Sequence, residues 1–211
     1  MKSPLILNPR TCALVIVECQ NAVVGAESVL PALAEQVGPM LSSIAKLAVQ
    51  ARSTGALVVH ATFELLRGPR RASPGPSPLL QNILQHNAHW THGSQAVQPA
   101  PEVGVGPDDL VIPRSQGLIP SHGTELLPIL RSYGIDTVVV SGVSLNIAIP
   151  GVAVDAVNEG FRVVVPTDGV AGTPPDYAQM VLKHSIAMIG RLATSEQIAT
   201  AWREYAEPPH A

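Results

Sequence analysis

The sequence predicts an α/β chain, a three-layer α/β/α Rossmann-like fold around a mostly parallel sheet of about six strands. Three observations lead there. Short β-branched runs recur through the chain, and each is apolar at successive positions, as strands covered on both faces of a parallel sheet are. Segments of helical period separate them. The joints from helix to strand repeat one design, with a glycine just before the strand at Gly55, Gly134, Gly160 and Gly190, where a left-handed residue ends the helix.

Taken in order, the strand-like runs are Ala13 to Val17, Ala56 to Val59, Leu110 to Ile112, Thr137 to Val140 and Arg162 to Val165. A further run is expected after Gly190. Alternating strands and helices with right-handed crossovers place functional groups at the carboxyl ends of the strands. Two stretches break the rhythm, Arg67 to Pro78 and Gln98 to Pro107, both too rich in Pro, Gly and Ser for regular structure. They are expected to be loops. The chain's 20 prolines are roughly double the usual ~5% share and gather there and at Pro208 and Pro209.

Composition narrows the function. At 211 residues, with 46% hydrophobic and 14% charged residues and a mean hydropathy of +0.25, residues 1–211 suffice for one domain with a buried core. A formal net charge of -3 offers no basic field for nucleic acid or anionic lipid. No apolar stretch reaches the roughly 18 residues of a membrane span, and no signal peptide is visible. The two cysteines, Cys12 and Cys19, lie along one strand and its exit, too extended for an easy disulfide. A reducing, cytoplasmic setting is expected.

The strand ends carry the chemistry-bearing residues. Glu18, Cys19, Gln20 and Asn21 follow the first run, His60 the second, Arg114 the third, Ser141 to Ser144 the fourth, and Thr167 with Asp168 the fifth. Val17-Glu18-Cys19-Gln20-Asn21 resembles the Asp-Met-Gln-Asn strand exit of the isochorismatase-like hydrolases, the superfamily of nicotinamidases, other small amidases and isochorismatases. The resemblance continues in order. Trp90 to Ala96 is similar to that family's tryptophan stretch, Asp109 to Arg114 to its Asp-to-Lys strand, and Gly123 to Leu126 to its Gly-Thr-x-Leu helix start. Gly142-Val143-Ser144 resembles its nucleophile turn, and Val163 to Asp168 its fifth strand. The similarity spans about residues 12 to 198.

The catalytic positions depart from the pattern. Where cysteine-hydrolase members of the superfamily carry Asp, Lys and Cys, the resemblance places Glu18, Arg114 and Ala148. A methyl group cannot attack a carbonyl, so the resemblance implies a branch without the nucleophilic Cys. It implies acid–base hydrolysis or lysis of a small organic acid or amide, with an inactive relative that binds a metabolite or partner protein as the alternative.

Glu18 is expected as the acid–base group and Arg114 as its ion-pair partner, holding Glu18 ionised and anchoring a substrate carboxylate or oxyanion. Ser144, Asn146, Ile147, Trp90 and His60 are the expected substrate- or oxyanion-binding positions, the backbone amides at the helix start serving for negative charge. A non-proline cis peptide is expected at Val143-Ser144, as in the family's turn. Cys19 reads as a buried small hydrophobe. His86, His89 and His92 recur at spacing three but lack an acid–histidine cluster, so no metal and no cofactor are expected. Arg67, Arg70 and Arg71 read as a solvated loop face. The expected partner is a small anionic or amide substrate, in a homo-oligomer, without nucleic acid or membrane.

Overall fold

A computed structural model describes residues 4–66 and 72–206. Among the described residues seven parallel strands form one sheet: β1 (Cys12–Val17), β2 (Leu57–Phe63), β3 (Leu110–Arg114), β4 (Thr137–Val143), β5 (Arg162–Pro166), β6 (Val170–Ala171) and β7 (Arg191–Ala193). Their order across the sheet is β3-β2-β1-β4-β5-β7, with the two-residue β6 paired to β4 beyond its junction with β5. The helices in chain order are α1 (Asn21–Val24), α2 (Pro31–Ala34), α3 (Gly38–Thr54), α4 (Pro78–His86), α5 (Leu126–Ser132), α6 (Ala148–Asn158), α7 (Pro175–Val181), α8 (Ala187–Ile189) and α9 (Ser195–Ala206). All five expected runs are strands. β6 was not expected, because two residues give no periodicity to read.

Strand alternation divides the core into two layers. Leu14 and Ile16 of β1 pack with Ile44 and Leu47 of α3 and Trp202 of α9. Val15 and Val17 face the other way, among Leu130 of α5 and Ile149 and Val152 of α6. Both faces of β1 are fully buried, which is why its sequence is continuously apolar rather than alternating. Each such Leu or Ile contributes about 1.5–3 kcal/mol through burial. Among the described residues no helix is long and apolar enough to cross a membrane.

Three of the four joint glycines are left-handed: Gly55 (φ 86°), Gly134 (φ 72°) and Gly160 (φ 87°). Gly190 is different. Its φ is −141°, so no left-handed turn requires it; a Cβ there would sit 2.8 Å from the Val163 carbonyl oxygen. Close passage against β5 selects that glycine.

β2 runs past its expected end at Val59 to Phe63, because His60 to Phe63 continue the ladder between β1 and β3. His60 therefore sits in mid-strand. α4 ends at His86, which leaves His89 and His92 outside the helix.

Candidate active site

β1 ends at Val17, and Glu18 turns the chain out of the sheet. Its amide donates to Ala61 O at 2.9 Å, so the backbone is still held by β2, yet its φ is +51°. Among the described residues no other non-glycine residue has a positive φ, a conformation an L-residue adopts at a cost. The neighbouring exit of β4 passes very close. Gly142 (φ +101°) would place a Cβ 2.2 Å from Val17 O, so a side chain here would force the two exits apart. The Val143-Ser144 peptide beyond it is cis, as expected.

Arg114 closes β3, in register with Phe63 of β2. β3 is not the neighbour of β1: β2 lies between them, and two strand spacings separate the backbones by about 9.6 Å. Long side chains close the gap. Arg114 Nη2 donates to Glu18 Oε1, and the guanidinium carbon lies 4.6 Å over the Phe63 ring. Nη1 donates to Gly117 O at 2.6 Å and Nη2 also approaches Leu118 O at 3.5 Å. Nε is buried with no hydrogen-bond partner among the described residues.

Gln20, which sequence reasoning did not assign to the site, holds this platform. Its Nε2 donates to Phe63 O (2.9 Å) and Val97 O (2.8 Å) while its Oε1 accepts from Phe63 N (2.7 Å). A glutamine just beyond a continuously apolar strand is the signal that marks it, since such a group is buried only when its amide is satisfied.

The side chains of the pair are 17% (Glu18) and 5% (Arg114) exposed. Burial pushes the Glu18 carboxyl above its usual range, and the Arg114 charge and hydrogen bond only partly oppose this. The net direction is upward: Arg114 favours the ionised form, and burial outweighs it. Desolvation wins because the pocket around the carboxyl is apolar. Burial also raises the Cys19 thiol, far outside the reactive range, with the Glu18 charge adding to it.

Glu18, Arg114, Ser144, Ile147, Ala148 and Trp90 line one cavity of about 60 Å³. Trp90 is 2% exposed and meets Phe63 edge to face at 6.4 Å. The Ala148 amide makes no backbone hydrogen bond among the described residues, whereas that of Ile147 donates to Ser144 O at 3.3 Å. Ile147 thus contributes an apolar side chain and not a free amide.

Two expected positions lie elsewhere. His60 is buried and bonds through Nε2 to Asp109 Oδ2 at 3.1 Å; Asp109 also accepts from Arg52 Nε and Nη2 at 3.1 and 2.7 Å. This network braces the start of β3, because mid-strand His60 cannot reach the carboxyl edge. Asn146 exchanges hydrogen bonds with the Thr173 backbone, through Oδ1 at 3.0 Å and through Nδ2. It is absent from the cavity wall because its amide ties the helix entry to the segment after β6.

Ser141 is buried and donates to Val15 O at 3.3 Å, and Asp168 accepts from Ser195 at the start of α9. His92 pairs with Glu64 at 3.2 Å. No group of three or more His, Cys, Asp or Glu side chains is placed to hold a metal ion among the described residues. Cys12 and Cys19 are free and buried. Arg67, Arg70 and Arg71 lie outside the described residues, as do Pro208 and Pro209.

Residues 12–197 match the isochorismatase domain family model. The chain belongs to the isochorismatase family. Within it, the chain is 28% identical over 199 residues to the uncharacterized isochorismatase family protein YecD of Escherichia coli O157:H7, covering 93% of this chain and 99% of that one. It is 31% identical over 150 residues to the maleamate amidohydrolase of Pseudomonas putida, 69% of this chain and 66% of the relative. A solved isochorismatase family structure from Burkholderia thailandensis superposes with a TM-score of 0.76 at 27% identity, covering 95% of this chain and 100% of that chain.

Proposed function

We propose that this isochorismatase-family chain hydrolyses a small amide or related organic acid derivative without a cysteine nucleophile, using Glu18 as its acid–base group. The observation that carries the reading is the Glu18–Arg114 pair on the wall of a mostly apolar cavity that Ala148 also lines. Among the described residues, Ser144 is the only hydroxyl-bearing side chain on the cavity wall, and no thiol lies there. The maleamate amidohydrolase relative supports an amide as substrate.

In the proposed reaction Glu18 takes a proton from water as the water oxygen bonds to the carbonyl carbon. The resulting oxyanion accepts from the Ala148 amide at the start of α6 and from Arg114, donors fixed before the charge develops. Protonated Glu18 then gives its proton to the leaving nitrogen as the C–N bond breaks, yielding carboxylic acid and amine. A carboxyl whose pKa is raised serves both transfers better than an ordinary one, because it lies closer to neutral pH.

The alternative is binding without turnover, and one observation favours it: among the described residues no side chain on the cavity wall is an activated nucleophile. A panel of small amides and organic acids separates the two, read by thermal shift for binding and by release of ammonia or amine for hydrolysis. Amine release sustained over many turnovers supports the hydrolase. A shift of melting temperature with no product supports the binder.

A further inference from the structure

In a parallel ladder alternate residues of a strand turn both backbone groups toward the same neighbour. Ala61 O accepts from Glu18 N at 2.9 Å on one side of β2, and Glu64 N donates to Arg114 O at 3.0 Å on the other. By that alternation Phe63 presents its N–H and C=O to the β1 side. β1 has left by then. Its last pairing with β2 is Val17 opposite Ala61, and beyond Glu18 the chain bonds elsewhere: Cys19 O accepts from Ala100 N at 2.8 Å, and Asn21 N donates to Gln98 O at 3.0 Å.

Buried backbone groups need partners, and the Gln20 carboxamide supplies them. Oε1 accepts from Phe63 N at 2.7 Å and Nε2 donates to Phe63 O at 2.9 Å, while the second Nε2 hydrogen goes to Val97 O at 2.8 Å. An amide is the one side-chain group that carries an acceptor beside two donors. Gln20 is 1% exposed and does not line the cavity, so it acts through Phe63. That residue supports Arg114 in two ways: it stands in register with it across β2 and β3, and its ring lies 4.6 Å under the guanidinium carbon.

We propose that Gln20 is a positioning residue for the Glu18–Arg114 pair, its carboxamide taking the place of the departed strand so that Phe63 carries the guanidinium to the Glu18 carboxyl. The proposal rests on the hydrolase reading for its kinetic consequence alone. Among the described residues the charged or titratable groups that face Glu18 are Arg114 and the Cys19 thiol, which burial keeps protonated. Burial raises the Glu18 carboxyl and Arg114 lowers it; a guanidinium out of place therefore leaves the proton more tightly held.

The test is a carbon-13 NMR titration of the full chain labelled at its glutamate carboxyls, with the Glu18 resonance assigned by its loss in Glu18→Gln. Gln20→Met keeps the length and removes the three hydrogen bonds; Gln20→Asn keeps the amide and draws it one C–C bond back, and serves where Gln20→Met does not fold. Phe63→Leu leaves the Gln20 bonds in place and removes the ring. In each, the proton affinity of Glu18 should rise by at least about threefold, and Gln20→Met with Phe63→Leu should raise it no further than the larger single change, because both act along one route. A role in stability alone would lower the melting temperature and leave this titration where it was. A change under about twofold in a folded Gln20 variant or in Phe63→Leu, or effects that add in the double variant, overturns the proposal. On a hydrolysed amide, kcat should fall about tenfold or more with KM within about twofold. A raised Glu18 titration with hydrolysis undiminished leaves the positioning intact and removes Glu18 as the acid–base group; an unchanged titration with hydrolysis lost in Glu18→Gln does the reverse.

Discussion

Arg114 reaches Glu18 across an intervening strand, its guanidinium carried over the Phe63 ring of β2. Removing one partner of such a buried pair strands the other. Arg114→Met should cost about 3–5 kcal/mol at pH 8, where Glu18 must either stay charged without its partner or take up a proton. The loss should shrink as the pH falls and Glu18 protonates. Glu18→Gln combined with Arg114→Met should recover most of the stability, since neither charge remains. Urea unfolding of the two variants at pH 8 and pH 5 checks this, and an Arg114→Met protein as stable as wild type at pH 8 would show the pair to be solvated.

The two strand exits set a second expectation. Gly142→Ala should destabilise by more than about 2 kcal/mol, because a left-handed penalty of about 1–2 kcal/mol adds to a Cβ placed 2.2 Å from Val17 O. Gly134→Ala carries only the conformational part, having nothing within 4 Å of its Cβ. Melting temperatures of the two variants compare them directly; equal losses would mean that the exits are free to separate.

The His60–Asp109–Arg52 network gives a pH dependence. Burial holds the His60 imidazole below its ordinary value of 6.5, although Asp109 opposes this. Below pH 6.5 the unfolded chain therefore takes up a proton that the folded chain refuses, and stability falls with pH until the folded imidazole titrates. The contribution is fully present above pH 6.5. Asp109 adds a loss of the same sign below its ordinary 3.8, because burial raises its carboxyl by less than the Arg52, Gly106 and His60 hydrogen bonds and the Arg52 charge together lower it in the folded state. His60→Gln keeps a donor for Asp109 and should flatten the fall between pH 6.5 and 5 in urea midpoints. An unaltered slope would assign it to another group.

The sheet was legible because burial on both faces of β1 and β4 writes itself as continuous β-branched sequence. The strand exits were legible too, and Glu18, Arg114, Ser144, Trp90 and Ala148 share one wall. What the sequence concealed was lateral order and exact strand length. Nothing in a run of Val and Ile states that β2 separates β1 from β3. His60 was misplaced because a histidine ends an apolar run as naturally as it interrupts one, until Asp109 is seen to satisfy it. Asn146 was misplaced because the partner of its amide, Thr173, is 27 residues away.

The central claim, that Glu18 and not a thiol carries the chemistry, is tested most directly by the pH profile of kcat/KM for amide hydrolysis in wild type and Glu18→Gln, each with and without thiol alkylation. The account predicts a profile governed by a carboxyl titrating above its ordinary 4.5, a fall of about 10²–10⁴-fold in Glu18→Gln, and no effect of alkylation because Cys12 and Cys19 are 1% and 3% exposed. Hydrolysis that survives Glu18→Gln and is abolished by alkylation would contradict it.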